Sequence, residues 1–154
     1  MSAAAFMAFL HHLAAFTLVA ALAAELALFA PPLSLTQARR LLRTDSLFGL
    51  AAGALLIVGL LRVAYFEKGP GYYWHDLYFQ LKFGAFLVAG LVSVYPTLLF
   101  LGWRKALRAG NPPELSAAQA QRVRLCLGVE LAAIVLILAC AALMARGFGY
   151  RAAL

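Results

Sequence analysis

Charge is scarce in this sequence. Asp, Glu, Lys and Arg together make up 12% of 154 residues, against roughly 25% in soluble domains. A chain that is also 65% hydrophobic, with a mean hydropathy of +0.89, cannot cover itself with water-compatible side chains, and the ordinary soluble class is excluded. Cysteine is nearly lacking too. Cys126 and Cys140 fall in one apolar run; as a helix that run holds them about 21 Å apart, so no intramolecular disulfide is expected, and there is no CxxC pair. Also missing are a GxxxxGK phosphate loop, an HExxH zinc motif, a GxSxG nucleophile elbow and a CxxCH haem attachment, which leaves hydrolase chemistry without support. No internal repeat or low-complexity segment stands out beyond an alanine and leucine bias.

What the chain does have is four long apolar segments, at about Ala5–Ala30, Ser46–Phe66, Phe79–Trp103 and Leu125–Ala145. Each is near the roughly 20 residues a helix needs to cross a hydrocarbon core and too long for a barrel strand of about ten. The expected fold is all-α: an integral membrane four-helix bundle with short loops, a single transmembrane domain over 1–154. MSAAAFMAFLHHLAAF lacks the basic start of a cleavable signal and reads as a retained helix. Pro31-Pro32, Gly69-Pro70-Gly71 and Gly110-Asn111-Pro112-Pro113 mark the turns. SLTQARRLLR, from Ser34 to Arg43, reads as a short interfacial helix ahead of the second span, and Ser116 as the N-cap of the fourth helix.

Orientation follows from Lys and Arg near the span ends. Arg39, Arg40 and Arg43 lie in the first connection and Arg104, Lys105, Arg108, Arg122 and Arg124 in the third; only Arg62, Lys68, Lys82, Arg146 and Arg151 lie on the other side. The expectation is a multi-pass protein of the bacterial cytoplasmic membrane with both termini outside. The net charge of +7 then reads as a topology signal plus attraction to anionic lipid in the bilayer, with no nucleic-acid partner.

Ionisable groups inside spans are costly and usually face the bundle interior or water. They fall into two depths. His11, His12, Arg62 and Lys82 form an outer layer of bases, and Glu25 and Glu130 an inner layer of acids. At 100° per residue His11 returns to within about 40° of Glu25, while His12 is about 140° away, so His11 and Glu25 share a face. An imidazole is a good axial ligand for haem iron, Arg and Lys suit the two propionates, and a desolvated lysine amine is itself a candidate ligand. The site residues expected from this are His11, His12 and Lys82 at a metal, with Arg62, Tyr72, Tyr73 and His75 around the cofactor and Glu25 and Glu130 handling protons. Plainer roles compete with these: snorkelling for Lys82 and Arg62, an interhelical hydrogen bond for the histidines, an interfacial aromatic belt for Tyr72 to Trp74. Met7, four residues before His11, and Met144 offer soft sulfur, so a copper site is a lesser alternative.

The stretches HHLAAFTLVAALAAELALF, ARRLLRTDSLFGLAAGALLIVGLLRV and EKGPGYYWHDLYFQLKFGAFLVAGLVSVYPTLLFLGWRK, most specifically RTDSLFGLAAG, EKG, LK and SVYPT, resemble a family of small predicted bacterial four-helix membrane proteins of unassigned function. That family is in turn similar to the HemJ-type membrane protoporphyrinogen oxidases, which carry a histidine in helix one and a lysine early in helix three. The resemblance places these at His11 or His12 and at Lys82, and implies haem b and, if the chain is an enzyme, a membrane oxidoreductase. The tryptophan and proline pattern after the HemJ histidine is absent, and Glu25 stands in that region instead. The reading that results is a membrane protein binding a b-type haem or porphyrin in its outer half, with a redox or electron-transfer role and a homo-oligomer or redox partner. A non-enzymatic scaffold or accessory subunit is the alternative.

Overall fold

A computed structural model describes residues 2–149; Arg151, counted above among the outer cations, lies outside them. Local sequence explains where each helix starts. Ser2 opens α1 (Ala3–Leu28) by accepting from the Ala5 amide at 3.2 Å. Ser34 and Gln37 form a reciprocal capping box at the start of α2 (Leu35–Leu61), and Ser116 and Gln119 form another at the start of α6 (Ala117–Ala145). In each box two backbone donors that no helix can satisfy find side-chain acceptors. Asp76 caps α4 (Leu77–Gly102), its Oδ1 accepting from the Tyr78 and Phe79 amides at 2.9 and 3.1 Å. Two single turns complete the set, α3 (Pro70–Trp74) and α5 (Arg104–Arg108).

The SLTQARRLLR stretch corrects one expectation. It is no separate interfacial helix but the first turns of α2, which runs unbroken from its capping box because no proline interrupts 35–61. α6 begins at Ala117, directly behind the Ser116 cap expected from the sequence and eight residues before its apolar run. At its far end α2 widens into a π-helical turn, Arg62–Phe66, before Gly69 takes a positive φ of 86° and turns the chain into α3.

The chain is an all-α membrane helical bundle. Its four candidate spans, Ala3–Leu28, Leu35–Phe66, Leu77–Arg108 and Ala117–Ala145, hold 26, 32, 32 and 29 residues, each more than the roughly 20 needed to cross. α1 pairs with α2 and α4 with α6 as antiparallel hairpins, and the hairpins join through α2 against α4 and α1 against α6. One end carries the α1–α2 and α5–α6 connections and, beside them, the arginines of α2, α5 and α6, the other the π-turn and the aromatic α3.

Within the spans only 11% to 28% of the most apolar stretch of each helix is buried. Most of the apolar surface therefore faces outward. Lipid is as apolar as leucine, so helices associate through close packing and hydrogen bonds, and small residues let them approach. Ala14, Ala21, Ala38, Ala51, Ala89 and Ala133 are buried at these contacts. The dense core lies at the basic end, where Leu41, Phe100, Val123 and Leu127 are fully covered and the Phe100 and Trp103 rings sit 4.6 Å apart. Toward the aromatic end the packing opens.

Candidate functional site

At the aromatic end the opening forms a cavity of about 370 Å³, at the lower end of the roughly 300–1,000 Å³ of small-molecule pockets. Every long helix contributes. α1 supplies His11 and His12, the π-turn Arg62, α4 Lys82 with Phe79, Phe83 and Phe86, and α6 Ile137 and Met144; Glu67 and Tyr73 close the polar rim. Five residues singled out in the sequence, His11, His12, Arg62, Lys82 and Tyr73, thus meet around one space. Two others do not reach it. The Tyr72 ring stands edge-on to Tyr73 at 5.4 Å, and His75 turns back on its own turn, with Nδ1 2.6 Å from the Gly71 carbonyl. Trp74 packs edge-on against Phe79 and Phe83 behind the wall. Met144 lines the cavity but Met7 does not, so the soft donor set of the copper alternative is not assembled. Among the described residues no three of His, Cys, Asp and Glu converge as ligands of a metal ion.

The two histidines are held differently. His11 is half-buried, its ring lying over Gly59 of α2: a Cβ there would come within 3.3 Å of the His11 Cε1. Glycine makes the slot. Within it the His11 Nδ1 is buried without a hydrogen-bond partner among the described residues. His12 is more exposed, and its Nδ1 lies 2.7 Å from the Ala8 carbonyl. A carbonyl only accepts, so this nitrogen carries the proton and donates, which leaves Nε2 of the neutral ring with a free lone pair. A backbone carbonyl on one imidazole nitrogen is the usual support of a ligating histidine.

The cations differ as well. Arg62 donates to Glu67 at 2.5 Å, the one ion pair among the described residues. Glu67 was not anticipated. In an α-helix residues five apart diverge, but the wider π-turn brings them toward one face, and no sequence periodicity announces such a turn. Arg62 is therefore already partly neutralised, although its Nε is buried and unpartnered among the described residues. Lys82 makes no ion pair within the described residues; its Nζ stands 5.6 Å over the Phe79 ring. Tyr73, outside the spans, keeps its phenol proton more tightly than usual, chiefly through burial and secondarily through the Glu67 charge.

Toward the dense core lies a second polar centre. Glu25 of α1, Asp45 of α2 and Glu130 of α6 are 1%, 4% and 1% exposed. Glu25 lies within electrostatic range of both others, and Glu130 of Asp45. The meeting of Glu25 and Glu130 agrees with their matched depth in the sequence. Asp45 is the member that sequence reasoning missed, because it falls between the interfacial helix read over Ser34–Arg43 and the span read from Ser46. With α2 continuous, Ala38, Leu41, Asp45 and Phe48 form one buried stripe at helical spacing. Thr97 of α4 donates to Asp45 Oδ1 at 2.7 Å, while Oε1 of Glu25 and of Glu130 have no partner among the described residues. No cation among those residues pairs with the three acids. Arg39, two turns before Asp45 on α2, donates instead to the Leu107 carbonyl at 2.9 Å. The three buried acids thus gather on facing helices with no counter-ion among the described residues.

No curated protein and no solved structure matches the chain, and none of the comparisons carries the likeness to the HemJ type. A family model does match, over residues 3–149, and its description agrees with four spans and no strand among the described residues. The chain belongs to the family described as "Predicted membrane protein (DUF2214)".

Proposed function

We propose that the cavity at the aromatic end binds a b-type haem or porphyrin and gives the protein a redox or electron-transfer role in the membrane. The observation that carries this reading is the convergence of His11, His12, Lys82 and Arg62 from three helices on one largely apolar cavity, with polar atoms left unsatisfied there. The donor set fits a tetrapyrrole. The His12 Nε2 and the His11 ring are the candidate imidazole ligands; the Lys82 amine would be a second ligand or a propionate partner, and Arg62 would contribute what charge Glu67 leaves it. Phe79, Phe83 and Phe86 would shield a bound macrocycle from water, and the Tyr73 hydroxyl stays a hydrogen-bond donor at the rim. Bound haem would supply a one-electron iron couple. Glu25, Asp45 and Glu130 hold protons on the other side of the bundle, about 21 Å along α1 from His11. In this reading the cavity faces outward from the bacterial inner membrane, both termini lie outside, and the working unit is a homo-oligomer or a complex with a redox partner.

The scaffold or accessory-subunit reading has one observation in its favour: Arg62, expected to neutralise a propionate, already has a carboxylate. Absorption of the detergent-purified protein, expressed with ample haem, separates the two. Haem binding gives a Soret band that His12→Ala or His11→Ala and Lys82→Ala weaken or shift, while Lys68→Ala, whose ammonium sits 4.3 Å over the Tyr72 ring and outside the cavity, leaves it unchanged. A colourless wild-type protein overturns the proposal in favour of the scaffold.

A further inference from the structure

The opposite end of the molecule holds another pocket, of about 350 Å³, lined by Arg39, Leu42, Arg43, Arg104, Leu107 and Arg108. Four arginines border it, largely through their apolar stems, and no acidic residue does. They come from two separate segments, the first turns of α2 and the α5 turn after α4, which Arg39 ties together through its bond to the Leu107 carbonyl. Four cationic side chains gathered on one small area, with no acidic residue among the lining, repel one another, and an anion seated between their heads relieves that repulsion. We propose that this pocket binds the phosphate headgroup of an anionic phospholipid. The proposal is independent of the cofactor reading.

Three features favour lipid as the source of the phosphate. Both spans that supply the arginines hold 32 residues, about 48 Å of helix against a hydrocarbon core of about 30 Å, so their ends stand in the headgroup layer. The floor between the charges is apolar, Leu42 and the buried Leu107, which suits the start of an acyl chain. Finally, guanidinium matches phosphate with paired donors where lysine offers only a point charge, and all four basic residues of the pocket are arginine. Basic pockets between membrane helices are recurrent sites for such headgroups. A topology signal alone requires basic residues at this end but does not require them to surround one space.

That difference supplies the test. Protein purified in mild detergent and stripped of lipid is titrated with phosphatidylglycerol, diphosphatidylglycerol, phosphatidylcholine, inorganic phosphate and pyrophosphate, with bound species counted by native mass spectrometry. Two variants with the same charge change are compared: Arg43→Gln/Arg104→Gln/Arg108→Gln in the pocket, and Arg40→Gln/Lys105→Gln/Arg122→Gln at the same end but outside it. The expected result is preferential binding of the anionic lipids to the wild type, weakened at least about tenfold more in the pocket variant, which also loses charge-assisted hydrogen bonds to the phosphate, than in the other, which loses only the diffuse attraction of three charges. Should the triple variant fail to fold, Arg104→Gln alone is compared with Arg122→Gln, and the expected loss is about tenfold or more for the first and clearly smaller for the second. Equal losses in both variants, or no preference over phosphatidylcholine, overturn the site in favour of diffuse attraction. Phosphate or pyrophosphate binding as tightly as the lipids overturns the lipid assignment.

Discussion

Thr97 and Asp45, 52 residues apart, are joined by a 2.7 Å hydrogen bond between α4 and α2, deep in the spans. It is the one side-chain hydrogen bond between long helices among the described residues, and it satisfies an acid that no cation among them pairs with. Thr97→Val is expected to cost about 1–3 kcal/mol, the penalty of an orphaned buried polar group, and Thr97→Ser to restore most of it. Unfolding of the purified protein by a graded denaturing detergent measures both. Equal stability of wild type and Thr97→Val would show that the bond contributes nothing.

Glu25 and Glu130 differ from Asp45 in having an unpartnered oxygen each among the described residues. Glutamine has nearly the same shape and no exchangeable acid proton, so Glu25→Gln and Glu130→Gln should fold as the wild type does while losing any proton movement through the bundle. A pH-sensitive dye inside proteoliposomes reports this. Proton movement that persists in the double Gln variant removes these acids from the path.

Gly59 is expected to be intolerant for a reason its neighbours do not share. A side chain there meets the His11 ring, with Cβ already 3.3 Å away, whereas Gly49 and Gly53 on the same helix have nothing within 4 Å. Gly59→Val should displace the imidazole and lower any haem absorption several-fold, on the order of 1 kcal/mol or more of lost binding; Gly53→Ala should leave the spectrum intact. Identical spectra for all three proteins would detach His11 from the cavity's chemistry.

Tyr73 provides a pH prediction outside the spans. Its phenol is held above the ordinary value of about 10 by burial first and by Glu67 second. The folded state therefore binds this proton more tightly than the unfolded chain. Its contribution to stability is complete below the unfolded value and is lost as pH rises through the higher folded one. Tyr73→Phe should accordingly push the alkaline unfolding midpoint upward, and Tyr65→Phe, at an exposed ring, should not. Circular dichroism across that range decides it.

The arginine-rich end is expected to be cytoplasmic. In a variant lacking Cys126 and Cys140, a cysteine placed at Asn111 should resist a membrane-impermeant thiol reagent in intact cells and one at Lys68 should react. The reverse labelling pattern would invert the proposed orientation.

Hydropathy alone made four membrane helices legible, because a span must be long, apolar and internally hydrogen-bonded whatever it packs against. Caps were legible for the same local reason: Ser116 needs only its own next turn. Depth could also be counted along each helix, which is why His11, His12, Arg62 and Lys82 meet as one layer and Glu25 and Glu130 as another. Azimuth was harder. Which way each residue faces depends on how the helices rotate against one another, and helices that are apolar on all sides carry almost no periodic signal for that. Asp45 joins the acids only because α2 is continuous from its capping box and turns that stripe inward. Glu67 reaches Arg62 only through a π-turn, and four arginines border one pocket only because the α5 turn lies against the start of α2. Local sequence sets the lengths, ends and depths of the helices, since those rest on hydrophobicity and backbone hydrogen bonds. Partners across the bundle were decided by tertiary packing, since small-residue contacts and a few buried polar bonds fix rotation in lipid, where hydrophobicity no longer distinguishes inside from outside.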